Sequence, residues 1–184
     1  MSHYLLGVTG ASGAVYAART LFYLQKAGHS VSLLMTDAGK EVADYEGQTA
    51  ALLKADEILD VKNFFASCAS GSSAFAGMAV VPCSMGTLGK MANGIADNLL
   101  TRAADVCLKE RRKLVVVPRE MPYNLIHLKN MEQLTLAGAI VIPASPHFYA
   151  KPQTIEDLAD TVVAKILNHL DVPNAIVPEW GSKR

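Results

Sequence analysis

The stretch Tyr4-Leu5-Leu6-Gly7-Val8-Thr9-Gly10-Ala11-Ser12-Gly13-Ala14 decides how the chain is read. An unbroken apolar run ends in a small, glycine-rich turn. Residues Ala14 to Ala27 then read as a helix that stops at Gly28, a natural C-terminal signal. An unbroken run implies burial on both faces, as in a parallel sheet covered by helices. The same kind of run returns at Val31 to Met35, Met78 to Val81, Leu114 to Val117 and Ala139 to Ile142. Leu99 to Glu110 and His127 to Leu136 read as helices. So does a final segment in which Leu158, Val162, Ile166 and Leu170 recur at helical steps behind a Thr154/Asp157 cap. Strand and helix alternate throughout. That predicts an α/β fold: a doubly wound parallel sheet, Rossmann-like or flavodoxin-like, in three layers.

A length of 184 residues suits one domain. Seventeen basic residues balance seventeen acidic ones, and no basic excess favours nucleic acid. Hydrophobic residues at 51% and charged residues at 18% exclude a disordered chain. The mean hydropathy of +0.21 is high for so short a chain and predicts apolar surface buried between subunits. Three cysteines without C-x-x-C and five scattered histidines argue against a disulfide scaffold and a zinc site. No signal peptide is visible. The longest apolar runs fall far short of the ~18 residues of a membrane span, so the expectation is a cytoplasmic protein. Residues 62–77 lack a helical period and read as a long functional or mobile loop. Residues 171–184, with Trp180, read as an arm packed on the same or a neighbouring subunit.

Ligands of open parallel sheets bind beyond the carboxyl ends of the strands. The first such turn, Thr9 to Ala14, offers helix N–H groups to a phosphate, although a structural tight turn serves equally well. The second is Thr36-Asp37, where Asp37 reads foremost as a helix cap. Glu46 follows on a helical segment. The third, Pro82-Cys83-Ser84-Met85-Gly86-Thr87-Leu88-Gly89, is a second hydroxyl-rich turn leading into a helix. Together with the first it suggests an anionic cofactor held by N–H and hydroxyl donors. The fourth, Pro118-Arg119-Glu120-Met121-Pro122, sets an arginine suited to a phosphate beside a carboxylate suited to moving a proton, although a surface ion pair is the alternative reading. Arg102 and Lys109 lie seven apart on one helix with Asp105 between them, which by itself reads as a surface charge ladder. Tyr149 follows the last strand. Lys165 sits on the flank of the final apolar stripe, where it could reach inward or snorkel.

Gly10-Ala11-Ser12-Gly13, Ser70-Gly71-Ser72-Ser73-Ala74, Pro82 to Leu88, Arg102-Ala103-Ala104-Asp105-Val106, Leu108-Lys109-Glu110-Arg111-Arg112 and Val117-Pro118-Arg119-Glu120 together resemble the UbiX-type flavin prenyltransferases. The likeness runs from about Leu6 to Trp180. It implies an enzyme that joins a dimethylallyl group from dimethylallyl phosphate to N5 and C6 of reduced FMN, without a metal. The product, prenylated FMN, is the cofactor of UbiD-type decarboxylases. The resemblance also implies a homo-oligomer, a dodecamer. By position, Gly10, Ala11, Ser12, Thr36, Ser84, Met85, Gly86, Thr87 and Arg119 match the family's FMN contacts. Arg102, Lys109, Arg119, Tyr149 and Lys165 match its prenyl-phosphate pocket. Glu46 and Glu120 match its proton-handling carboxylates, and Ser12 lies near the reactive edge of the flavin.

Two departures stand out. Lys165 replaces a frequent arginine, keeping the charge but losing the bidentate fork. Phe64 stands where some members place tryptophan. An FMN-dependent cysteine-type decarboxylase is the rival enzyme. That group carries a catalytic histidine and a P-A-S-A-N-T-like turn, and this chain has neither in the matching region. A non-catalytic flavin carrier would not need the phosphate-directed cations. A nicotinamide dehydrogenase would need Y-x-x-x-K, which is absent.

Overall fold

The computed structural model describes residues 1–178 and Gly181; Trp180 and the end of the expected arm lie outside the described residues. The strands are β1 His3–Val8, β2 Ser30–Met35, β3 Glu57–Leu59, β4 Gly77–Cys83, β5 Lys113–Pro118 and β6 Ile140–Val141. They form one parallel sheet in the order β3-β2-β1-β4-β5-β6. This is the Rossmann order. The direction of winding reverses between β1 and β4, the place where open sheets of this order form a ligand crevice at the carboxyl ends.

Alternate residues of each strand enter opposite layers. Leu6, Val8, Ala79, Val81, Val115 and Val117 pack under α1 (Ala14–Lys26) and α7 (Ile155–His169). Leu5, Met78, Val80, Leu114 and Val116 pack under α4 (Met85–Ala92) and α5 (Leu99–Lys109). The remaining helices are α2 (Asp37–Tyr45), α3 (Thr49–Leu52) and α6 (Leu125–Leu136). Both faces of the central strands are buried, as the unbroken runs require. Val172, beyond α7, is 1% exposed and belongs to the first layer's core, and Ile176 packs against it.

Residues 62–77 are more ordered than their composition suggests. Ser67–Ala69 forms a 3-10 turn, and Cys68 and Phe75 are buried in the second layer. Helix α6 buries only Leu134, while Leu125, Ile126, Leu128 and Leu136 are exposed. Among the described residues no helix is long and apolar enough to cross a membrane.

Candidate active site

The crevice is built where β1 and β4 end. The Thr9 side chain, 1% exposed, ties the two ends together: its hydroxyl donates to the Pro82 carbonyl (2.9 Å) and accepts from the Ser84 N–H (2.7 Å). Along the sequence Thr9 belongs to the first turn but has no role of its own. It looks like one more small turn residue, and only a partner 75 positions away reveals its role. Ser84 in turn caps α4, accepting from the Thr87 N–H, and its hydroxyl donates to Thr87 Oγ1 at 3.1 Å. The first-turn N–H groups of α4 lack intrahelical partners. A Cβ added at Gly86 would meet nothing within 4 Å, so that turn is open to a ligand.

The turn after β1 is tight by necessity. A Cβ on Gly10 would stand 2.6 Å from the Ala38 side chain, and Gly13 adopts φ 112, which glycine alone takes at little cost. The anion expected at the start of α1 is already supplied by the chain. Glu46 accepts from the Gly13 N–H (3.0 Å to each oxygen) and the Ala14 N–H (2.7 Å). A carboxylate at a helix N-terminus is stabilised by the helix dipole and by the unpaired N–H groups. The α1 terminus is therefore not an open phosphate seat. It brings Glu46 within reach of Ser12 instead.

The cap of α2 is Thr36, whose hydroxyl accepts from the Gly39 N–H at 3.0 Å. This corrects the reading of Asp37 as the cap: Asp37 sits in the first turn, exposed, paired with Lys40 and Lys62. Those two cations hold its carboxyl below the ordinary range. On the other side of the crevice, Arg119 follows β5 and donates from Nε to the Ser12 carbonyl at 3.0 Å. It thus reaches across the end of β4. Glu120 is exposed and accepts from the Met121 N–H.

The remaining candidates are Arg102, Lys109, Tyr149 and Lys165. Arg102 pairs with Asp105 at 2.6 Å and donates to the Ala69 carbonyl at 3.0 Å; Lys109 pairs with Glu110. Both lie against the 67–73 segment, where Arg112 also donates to the Gly71 carbonyl. Lys109 ends α5, just before β5 begins, whereas Arg119 follows its end. Six strand residues separate those edges by about 20 Å. Lys109 and Arg119 therefore stand at opposite edges of the sheet, while Arg102 lies near the start of α5. Tyr149 follows β6, and Lys165 lies on α7. The loop that carries Tyr149 starts beside the Pro118 carbonyl (Ala144 N–H, 3.1 Å), and Lys165 is exposed on α7.

The model of the family described as Flavoprotein matches residues 1–167. A flavin prenyltransferase UbiX of Methanothermobacter thermautotrophicus is 47% identical over 182 residues, spanning 97% of this chain and 95% of that protein. The chain belongs to the UbiX-type flavin prenyltransferase family. Among solved UbiX-type structures, AnUbiX (PadA1) in complex with FMN and dimethylallyl pyrophosphate superposes with a TM-score of 0.93 at 37% identity, covering 100% of this chain and 99% of that one. A dodecameric FMN-dependent Ubix-like decarboxylase from Escherichia coli O157:H7 superposes at 0.91 with 38% identity, covering 98% and 100%. UbiX-type relatives therefore share this fold over almost the whole chain. Among the described residues there is no cluster of three or more histidine, cysteine or acidic side chains placed to hold a metal.

Proposed function

We propose that this chain transfers the dimethylallyl group of dimethylallyl phosphate to N5 and C6 of reduced FMN, and that the product, prenylated FMN, serves a UbiD-type decarboxylase. One observation carries the reading. Arg119, Ser12 and the open Ser84–Thr87 turn converge on the β1/β4 crevice, tied together beneath by Thr9. The likeness to a relative that holds both FMN and dimethylallyl pyrophosphate supports it.

In this reading the flavin lies over the turns at Gly10, Ala11, Ser12 and Thr36 and against Ser84, Met85, Gly86, Thr87 and Arg119. Reduced FMN supplies the nucleophilic nitrogen. Arg102, Lys109, Arg119, Tyr149 and Lys165 surround the phosphate of the donor and stabilise it as the allylic C–O bond breaks. Aromatic and apolar walls, Phe64 among them, exclude the water that would otherwise capture the allylic carbon. Glu46 is held beside Ser12 by backbone N–H groups, and Glu120 stands beside Arg119. Both carboxylates handle protons, and Glu120, the released phosphate or both take up the one lost on ring closure.

Lys109, at the far edge of the sheet from Arg119, calls for more than one copy of the chain at each site. Lys109 of one copy completes the crevice of another. The exposed Leu125, Ile126, Leu128 and Leu136 of α6 support such an assembly, which we take to be a dodecamer like that of the Escherichia coli relative. The test is anaerobic incubation of the purified protein with reduced FMN and either dimethylallyl phosphate or dimethylallyl pyrophosphate, in the presence of a chelator. A flavin heavier by one five-carbon unit is expected with at least one donor. Unchanged flavin mass with both donors refutes the transferase.

A further inference from the structure

We propose that His147 is a positioning residue that holds Tyr149 at the donor phosphate. The inference rests on the transferase reading, which assigns Tyr149 to that phosphate. The His147 and Tyr149 rings are stacked face to face, their centroids 3.9 Å apart and their planes 4° from parallel. Residues two apart on a chain do not stack by default, so the loop must be bent to bring the rings together. Its ends show how. The Ala144 N–H is pinned to the Pro118 carbonyl (3.1 Å), and the His147 N–H donates to Thr161 Oγ1 of α7 (3.3 Å). The Lys151 N–H closes back on the Phe148 carbonyl at 2.9 Å, with Lys151 at φ 56.

His147 is thereby anchored to the rigid helix, while Tyr149 is 41% exposed. The imidazole Nδ1 is buried and has no hydrogen-bond partner among the described residues. With no bond made through that atom, the contact the ring makes is the face it presents to Tyr149. Burial, and then the nearby Lys165 cation, push its pKa below the ordinary histidine value, which keeps it an uncharged plate. Lys165 and Thr161 lie one turn apart on α7. The same short stretch of helix therefore carries the anchor of the plate and a cation assigned to the phosphate.

The test uses the full-length protein with His147→Ala and His147→Phe. Loss of an aromatic stack of this kind is expected to raise the KM for dimethylallyl phosphate about three- to tenfold in His147→Ala. The kcat and the FMN affinity should stay within about twofold of wild type, the margin left to surface changes. His147→Phe, which keeps a ring face, should restore the KM. In a Tyr149→Ala background the His147→Ala effect should vanish. A KM unchanged in His147→Ala overturns the proposal, as does a parallel fall in FMN affinity or a failure of phenylalanine to rescue. Crystals of the variants without donor give a second readout: Tyr149 should leave its position in His147→Ala and keep it in His147→Phe. An unmoved Tyr149 in His147→Ala also overturns the proposal. If wild-type protein forms no product with either donor, the transferase reading falls, and the ring position in the crystals still decides whether His147 holds Tyr149.

Discussion

Replacing Glu46 should weaken the fold by an amount that the geometry allows us to work out. Its carboxylate accepts the Gly13 and Ala14 N–H groups at 2.7–3.0 Å, at the start of a 13-residue helix. Glu46→Ala strands both donors. Gly13 is half-buried and regains a water, but Ala14 is 1% exposed, and its N–H pays the cost of an unmade hydrogen bond, about 1–3 kcal/mol. Removing the anion from the helix dipole adds about 0.3–1 kcal/mol. The sum is about 1–4 kcal/mol, or a fall in Tm of about 3–16 °C for a chain of this length. Glu46→Gln keeps one acceptor oxygen and loses the charge, so about 1 kcal/mol and about 2–4 °C are expected. Thermal and urea unfolding of flavin-stripped protein at pH 7 measures both. Should Glu46→Ala and Glu46→Gln each stay within about 0.5 kcal/mol of wild type, the carboxylate does not cap α1, and its placement beside Ser12 loses its physical basis.

Asp160 on α7 receives Arg19 through two hydrogen bonds of 2.6–2.7 Å and Tyr23 through a third of 2.7 Å, and its side chain is 8% exposed. Asp160→Ala should cost about 3 kcal/mol, because Arg19 on α1 is left without its counter-charge; a loss under about 1 kcal/mol in urea melts would show the pair to be dispensable. Because the folded pKa of His147 lies below its unfolded value, the unfolded chain binds the extra proton first. Wild-type stability should therefore fall as pH drops below about 6.5 and level off under the folded pKa, and His147→Gln should lack that contribution; parallel pH profiles for the two proteins would contradict it. Cys68, Cys83 and Cys107 are buried, and burial pushes the Cys107 thiol up to about 12 and Cys83 higher still. An aromatic disulfide reagent at pH 8 should react with all three only at the rate of unfolding, and a rapidly titrating thiol in the native protein would refute this burial.

Much of the fold could be read along the chain because it rests on local chemistry. The runs Tyr4 to Val8 and Leu114 to Val117 have no polar face, so they can only be central parallel strands. Thr154 and Asp157 announce the start of α7 whatever it packs against. Strand β3 escaped notice because Glu57-Ile58-Leu59 is short and lies on an edge, where its residues are half-exposed or exposed and show no buried run. The cap of α2 fell on Thr36 rather than Asp37 because both residue types can cap, and the choice between neighbours depends on where the chain leaves β2.

The sequence by itself determined the α/β class, the helix stops and caps, the small-residue turns after the strands, and the motif set that marks the family. These follow from side-chain volume, backbone freedom and periodicity, which act over a few residues. Only the tertiary structure decided that winding reverses between β1 and β4. It also set Glu46 on Gly13, Thr9 on Ser84 and Arg119 on Ser12, partners 33, 75 and 107 residues apart. Equally apolar strands do not encode which neighbour they take. Their order is settled by how the covering helices pack, and with it which turns share an edge. The same packing set Lys109 apart from Arg119, because α5 returns the chain to the opposite edge of the sheet before β5 begins.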